Sequence, residues 1–163
     1  FEDSRRVNQA GALAMTPWIE REYGGEARRS AKSGEIVVAS TRVWSRVENK
    51  DTGNFYLEEW SDFVNAVPGW MMTLQTQVLA YMFLDTSRLY LINFPKLRSW
   101  AIVGRALLMF QRREQRASEQ ANVTIGSLVP VSSVAAAVGF TRIDCMTGLR
   151  EKQRPQPSLW GSR

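Results

Sequence analysis

The chain has 163 residues, of which 44% are hydrophobic and 23% are charged, a composition that suits one globular domain with a single core. It contains no histidine and one cysteine, Cys145. These two facts exclude an internal disulfide, zinc held by cysteine or histidine, and every mechanism that needs an imidazole. Any catalysis must therefore use carboxylates, lysine, tyrosine, serine or a metal held by oxygen.

The charge balance points towards phosphate. The formal net charge is +5, and arginine-rich basic proteins often bind phosphate through the guanidinium fork. A basic surface without a nucleic-acid partner is the alternative. The longest apolar stretch, Val78 to Leu84, is far shorter than the roughly 20 residues of a spanning helix. No leader of charged and then apolar residues opens the chain, so we expect a soluble protein that is not secreted.

The N-terminal segment, Glu2 to Tyr23, has apolar residues at helical spacing and acidic residues in its first turn, which predicts a helix. Pro17 lies inside this segment and should kink the helix or divide it in two. A basic segment follows, whose side chains are candidates for contacts with nucleic-acid phosphates, with a solvated loop as the alternative. Its cationic residues are Arg28, Arg29 and Lys32.

Three strands are predicted next, at residues 35–40, 42–50 and 54–60. Runs of β-branched residues and the alternation of polar and apolar side chains indicate them. The turn from Asp51 to Asn54 is too short for a crossover connection. The second and third strands should therefore pair as an antiparallel hairpin.

The second half of the chain is predicted to contain more helix. We expect a mostly apolar helix over residues 71–84, a strand over 88–94 and a long helix from Pro95 to about residue 115. A short serine-capped helix over residues 133–138 and a strand over 140–143 should follow.

The predicted fold is a single α/β domain over residues 1–150, followed by an irregular tail over residues 151–163. Its element order is helix, three strands, helix, strand. This order favours a strand meander joined through a crossover to a parallel strand, in one mixed sheet of about four strands with helices on both sides.

Four residues on the three predicted strands form a candidate catalytic site: Glu35, Glu48, Lys50 and Glu58. Because residues two apart on a strand point to the same side, Glu48 and Lys50 should project together. Neighbouring strands can bring the three carboxylates close, and such a cluster is costly without a divalent cation. Mg²⁺ suits few carboxylates, and a lysine beside it can act on the attacking water. An ordinary solvent-facing charge pattern is the alternative.

The element order and the tripeptide Glu48-Asn49-Lys50 together resemble the PD-(D/E)XK nuclease superfamily. Glu35, thirteen residues earlier, stands where that family has an aspartate. The segments 52–62 and Pro68-Gly69-Trp70 are similar to phage-encoded proteins associated with this fold. The likeness extends over about Glu2 to Val138.

The resemblance implies a restriction-endonuclease-like core of the αβββαβ type with helical additions towards the C terminus. It implies a metal-dependent phosphodiesterase acting on DNA, with Glu35, Glu48 and Glu58 as ligands of Mg²⁺ or Mn²⁺ if the site is active. DNA rather than RNA is the expected partner, and no association with a membrane is expected. A second copy of the chain in a homo-oligomer, or another phage or host protein, is an open alternative as a protein partner. The implied location is the host cytoplasm, with the virion as the alternative.

Two departures from the family pattern leave alternatives open. Glu35 replaces the expected aspartate, and Glu48 falls on the second predicted strand rather than on the third. Glu48 with Glu58 is therefore a second candidate metal set. A catalytically inactive nuclease-fold protein that binds in phage DNA metabolism or counter-defence is one alternative function. A virion structural or assembly protein is another.

Overall fold

Two β-sheets pack face to face, and a long helix covers the outer face of the larger sheet. The computed structural model describes residues 2–29, 35–116 and 122–157. Within them the helices are α1 Glu2–Tyr23, α2 Trp70–Thr73, α3 Phe94–Arg98 and α4 Val131–Ala137, with a π-helical turn at Ser99–Val103 and a 3-10 turn at Ala106–Met109. The strands are β1 Arg28–Arg29, β2 Glu35–Val38, β3 Thr41–Glu48, β4 Asn54–Asp62, β5 Val67–Pro68, β6 Val78–Phe83, β7 Arg88–Asn93, β8 Gln111–Arg116, β9 Val123–Pro130, β10 Phe140–Asp144 and β11 Arg150–Gln153.

The larger sheet is mixed. In the described ranges it has seven strands in the order β1-β2-β3-β6-β7-β10-β11. β3 and β6 are parallel, and the other neighbours are antiparallel. The smaller sheet, in the order β5-β4-β9-β8, is antiparallel throughout. The chain is therefore a single compact α/β domain with a mixed sheet, as the sequence predicts. The prediction of one sheet of about four strands is wrong, because the mixed sheet has seven described strands and a second sheet packs against it.

Two apolar layers hold the domain together. The layer between the sheets includes the buried side chains of Phe55, Leu57, Leu79, Tyr81, Phe83, Tyr90 and Ile92. The layer between α1 and the larger sheet includes Met15, Ile19, Val43, Val47, Val78, Ala80, Met82, Leu89 and Leu91. Gly11 lets α1 approach β3, because a Cβ at this position would lie 2.5 Å from Cγ1 of Val47. Helices on both sides of the sheet were expected, but the smaller sheet covers its second face.

The predicted hairpin between β3 and β4 is wrong. β3 pairs with β2 and β6, whereas β4 pairs with β5 and β9 in the smaller sheet. The connecting turn stays attached to the larger sheet, because the N–H of Asp51 donates to Oδ1 of Asp85 at 2.9 Å. Oδ2 of Asp51 accepts from Thr86 at 3.2 Å and from Arg88 at 3.3 Å. A short turn excludes a crossover within one sheet, but it does not exclude a change of sheet.

The predicted helix over residues 71–84 is also wrong. Only Trp70–Thr73 is helical, and Val78–Phe83 forms β6, in which every residue is buried. Alternate residues of β6 face α1 and the smaller sheet, so every position of the strand is buried and apolar. Periodicity does not separate such a strand from a buried helix. The observed order is therefore not αβββαβ, since β4, β5 and α2 make the connection from β3 to β6.

The long helix predicted from Pro95 is much shorter than expected. Pro95 lies at the start of α3 as predicted, but the π-helical turn ends at Val103 and Arg105 adopts a left-handed φ of 56°. The apolar positions that indicated a helix have different environments, because Leu97 and Ala101 are buried and Leu108 is 76% exposed. The basic segment after them forms β8, whose residues are all exposed.

The remaining predictions were partly correct. Helix α1 has the predicted bounds, and Pro17 does not divide it. Helix α4 lies close to the predicted region, but its N-cap is Pro130 and no side chain caps it. The tail predicted for residues 151–163 begins inside β11, and residues 158–163 lie outside the described ranges. Among the described helices, none combines the length and apolar character that crossing a membrane requires.

Candidate functional site

The C-terminal end of β3 borders a cavity of about 50 Å³ where the two sheets meet. Glu48, the last residue of β3, and Lys50 both line it. The other wall includes Tyr56 of β4 and two residues of β8, Arg113 and Gln115. A carboxylate, an amine, a phenol and a guanidinium therefore border one space.

Three hydrogen bonds converge on Oε1 of Glu48. Arg46 donates from Nε at 3.2 Å and from Nη2 at 3.0 Å, and the hydroxyl of Tyr81 donates at 3.2 Å. The side chains of this ion pair are 24% exposed for Arg46 and 30% exposed for Glu48. Solvent screens the pair, which contributes at most about 1 kcal/mol to stability. Its main consequence is that the carboxylate has a defined orientation at the cavity wall.

The hydroxyl of Tyr81 connects the two sheets. Tyr81 is fully buried, and its hydroxyl accepts from the backbone N–H of Tyr56 at 3.0 Å while it donates to Glu48. Burial, followed by the neighbouring Glu48 carboxylate, raises the pKa of Tyr81 well above its usual range. The hydroxyl therefore keeps its proton at neutral pH and remains a donor to Glu48.

We expect Tyr81→Phe to lower the free energy of unfolding by about 1–3 kcal/mol, because the buried N–H of Tyr56 loses its acceptor. The matched control is Tyr56→Phe, which removes a hydroxyl that no described residue hydrogen-bonds. In phosphate-free buffer this control should be at least as stable as the wild type. Urea denaturation measures both variants, and equal losses would contradict the proposed difference.

Glu58 lies on β4 near the same arginine. Burial raises the pKa of Glu58 above its ordinary value of 4.5, while Arg46 and the backbone N–H of Trp70 oppose this rise. Gly69 accommodates the side chain, because a Cβ there would lie 2.8 Å from Cγ of Glu58. The guanidinium of Arg46 therefore interacts electrostatically with two carboxylates, those of Glu48 and Glu58.

We expect Glu58→Gln to be more stable than the wild type at pH 7 in metal-free buffer. Because folding raises the pKa of Glu58, the stability linked to its protonation is present below the unfolded pKa and is lost as the pH rises through the folded pKa. The gain in Tm should therefore shrink as the pH is lowered from 7 towards about 4. Thermal unfolding at several pH values measures this gain. A variant that is less stable at pH 7 would contradict the burial cost.

Glu35 is separated from this site. It begins β2, where it pairs with Trp44 of β3. Trp44 precedes Glu48 by four residues, a distance of about 13 Å along a strand. Over residues 2–29, 35–116 and 122–157, no group of three or more His, Cys, Asp or Glu side chains is arranged to hold a metal ion. The fold thus brings together Glu48, Lys50 and, through Arg46, Glu58.

Arg28 and Arg29, two of the three residues predicted to contact phosphate, lie towards the other end of β3. Arg28 on β1 is exposed and pairs with Val37, which in turn pairs with Arg42 on β3. Arg42 precedes Glu48 by six residues, about 20 Å along the strand. Arg28 is therefore remote from the cavity.

Arg29 has a structural contact. Its guanidinium donates to the carbonyl oxygen of Ala12 and to the hydroxyl of Thr16, both on α1. The side chain of Arg29 therefore ties the edge of the larger sheet to the helix. Lys32, the third residue of this predicted set, lies outside the described residues.

Two cationic residues of the site were missing from the predicted set. Arg46 precedes Glu48 by two residues on β3, so strand alternation alone places both on one face. Arg113 is harder to find, because the segment that contains it has no apolar face and gives no strand signal. Because side chains alternate between the two faces of a strand, Arg113 and Arg112 of β8 point to opposite faces. Nε of Arg112 lies 3.9 Å from Oε2 of Glu59.

The site as a whole offers three kinds of chemistry. Glu48 and Glu58 are oxygen donors for a divalent cation, Lys50 can act on a proton or on developing negative charge, and Arg113 can attract a phosphate.

A scan against protein-family models found no family that matches the chain, and searches of curated proteins and of solved structures found no match either.

Proposed function

We propose that this protein is a metal-dependent phosphodiesterase that acts on DNA, a phage nuclease-like protein. The observation that carries the proposal is that Glu48 and Lys50 line the same cavity at the end of β3. A carboxylate next to a lysine on one side of a strand end is the arrangement that the (D/E)XK tripeptide requires. Arg113, which lines the same cavity from β8, favours a polyanionic substrate.

Part of the strand arrangement around Glu48 favours a restriction-endonuclease-like core, although the connection from β3 to β6 runs through β4, β5 and α2 instead of a single helix. β1, β2 and β3 form an antiparallel meander, and β6 joins β3 in parallel after a crossover. Glu48 ends the third strand of this meander, which is where the simplest version of the family has its (D/E)XK element. This position of Glu48 depends on counting the two-residue strand β1.

The carboxylates of Glu48 and Glu58 suit Mg²⁺, or Mn²⁺ in its place. Mg²⁺ commonly uses one or two protein carboxylates, with water and substrate phosphates completing its octahedron. Arg46 does not prevent such binding, because its ion pair with Glu48 is partly exposed and weak. A bound divalent ion supplies charge neutralisation and a more acidic water at such a site.

The protein's own groups have distinct roles in this proposal. Tyr81 and Arg46 hold Glu48 in one orientation through its Oε1. Lys50 orients the attacking water or stabilises the negative charge that develops on the phosphorus oxygens. Glu58 is the second carboxylate, and Glu35, about 13 Å along the strand from Glu48, has no part in the reaction.

A second candidate function is a catalytically inactive DNA-binding protein on the same fold. The observation in its favour is the ion pair between Arg46 and Glu48, since a guanidinium already neutralises the carboxylate. The positive charge of Arg46 also interacts electrostatically with the carboxylate of Glu58. In such a protein Arg46 would replace the divalent cation, and the cavity would bind DNA without cleaving it.

A cleavage assay with defined metal ions separates the two functions. We expect the wild type to degrade DNA with Mg²⁺ or Mn²⁺ and Glu48→Gln to lose this activity through weaker metal affinity, with partial recovery in excess metal. Glu59→Gln is the control, because Glu59 contacts Ser127 and Arg112 instead of the cavity. Titration with Mn²⁺ measures metal affinity directly. No cleavage with any divalent ion, together with no metal binding, would leave the inactive DNA-binding protein as the function.

A further inference from the structure

The hydroxyl of Tyr56 is a buried polar group without a protein partner. Tyr56 is 3% exposed, and no residue of the described ranges hydrogen-bonds its hydroxyl. An unsatisfied buried hydroxyl costs about 1–3 kcal/mol, and native proteins rarely retain one without a reason. The hydroxyl of Tyr81, in the same cavity wall, has both a donor and an acceptor partner.

The ring of Tyr56 depends on a glycine in the neighbouring strand. A Cβ at Gly126 of β9 would lie 2.6 Å from Cζ of Tyr56, the carbon that carries the hydroxyl. It would also lie 2.7 Å from the carbonyl oxygen of Leu57, so a side chain at position 126 would require the backbone to shift. Gly126 therefore leaves room for the phenol at the wall of the cavity.

Two cations border the same cavity without an ion pair. Arg113 is opposite Gly126 in the β8–β9 ladder, and Lys50 follows the end of β3. Both are exposed, and no described carboxylate lies within ion-pair distance of either. By contrast, Arg46 of the same region is already paired with Glu48. Among the described residues that line the cavity, the charged groups without an ion pair are therefore Lys50 and Arg113, and the phenol of Tyr56 lies in the same wall.

These groups are all hydrogen-bond donors. A phenol keeps its proton at neutral pH, so the hydroxyl of Tyr56 is available as a donor. The guanidinium of Arg113 lies close enough to act electrostatically on that hydroxyl. The cavity volume of about 50 Å³ exceeds the about 10–15 Å³ that one water needs, so the space accommodates a group larger than a single water.

We propose that Tyr56, Arg113 and Lys50 form a binding pocket for one phosphate group, which holds the DNA backbone or a DNA end beside Glu48. As a DNA contact this pocket rests on the proposed function, whereas its affinity for phosphate does not. The phenol and the guanidinium donate to the phosphate oxygens, and Lys50 adds a positive charge. An internal phosphodiester and a terminal phosphate share this chemistry.

Calorimetric titration of the full chain with inorganic phosphate at constant ionic strength tests the pocket. We expect Tyr56→Phe and Arg113→Gln each to weaken phosphate binding by about tenfold or more, the effect of losing a hydrogen bond to a charged group. Arg112→Gln removes the same charge one residue away, on the opposite face of β8, and should leave the affinity unchanged. Thermal unfolding checks that each variant is folded. Absent phosphate binding, or equal binding by all four proteins, would overturn the proposal.

Oligonucleotides with and without a 5′-phosphate identify the source of the phosphate group. If removal of the 5′-phosphate lowers the affinity of the wild type for the oligonucleotide but not that of Arg113→Gln, the pocket holds a DNA end. If both oligonucleotides lose the same affinity in Arg113→Gln, it holds an internal phosphodiester. Phosphate binding with the expected variant pattern but no cleavage by the wild type would refute the nuclease and leave the pocket standing. If cleavage needs Lys50 but Tyr56→Phe and Arg113→Gln bind phosphate as the wild type does, the pocket is refuted and the nuclease stands.

Discussion

Replacement of Lys50 by alanine should lower the rate of DNA cleavage by about 100-fold or more, while the protein remains as stable as the wild type. Loss of a group that acts on the water or on developing charge has an effect of this order. Lys50 is exposed, and truncation of such a surface residue usually changes the free energy of unfolding by no more than about 0.5 kcal/mol. Single-turnover cleavage at saturating Mg²⁺, together with thermal unfolding, measures both quantities.

Lys152→Ala is the matched control for this experiment. Lys152 is also exposed and lies on β11, at the edge of the larger sheet far from β3 in the strand order. It should cleave at the wild-type rate. If Lys50→Ala also cleaves at that rate, the chemistry lies elsewhere in the molecule. If Lys50→Ala changes only the DNA affinity, Lys50 contacts phosphate and takes no part in the bond-breaking step.

Replacement of Phe55 by alanine should lower the free energy of unfolding by about 3–5 kcal/mol. Phe55 is fully buried between the two sheets, and its ring centre lies 4.9 Å from that of Tyr81 and 5.2 Å from that of Tyr90. The rings of Phe83 and Phe140 are 6.0 Å and 6.5 Å away. Truncation removes these contacts and leaves a cavity that the surrounding strands cannot fill.

Phe63→Ala is the control for Phe55→Ala. Phe63 is 50% exposed and contacts the ring of Trp60 at the end of the smaller sheet. Its truncation should cost less than about 1 kcal/mol, in keeping with its partial burial. Urea unfolding of both variants gives the comparison. Similar small losses for the two would mean that the sheets do not pack through Phe55.

Five of the eleven described strands were predictable because their signals are local. The segments at residues 35–40, 42–50, 54–60, 88–94 and 140–143 all contain strands where β-branched residues, alternation and turns indicate them. One failure occurs where a single apolar pattern suits two structures. Val78–Phe83 is apolar at every position, and such a run fits a strand buried on both faces as well as a helix.

The candidate site was predictable in part for the same reason. Glu48 and Lys50 are two residues apart at a strand end, so alternation places them on one side, and both line the cavity. Which other groups join them depends on strand register. Glu35 pairs with Trp44, too far from Glu48 along β3, whereas Arg113 reaches the cavity from a strand that gives no signal in the sequence.

The amino-acid sequence by itself determined that this is a mixed α/β domain without histidine chemistry, with a carboxylate and a lysine side by side after a strand. These properties depend on composition and on residues that are near each other in the chain. Only the tertiary structure decided that β4 leaves the larger sheet, that β6 lies between β3 and β7, and that Tyr56 and Arg113 border the cavity of Glu48. Sheet membership and register depend on the burial of apolar faces from distant segments, and no local pattern encodes that choice.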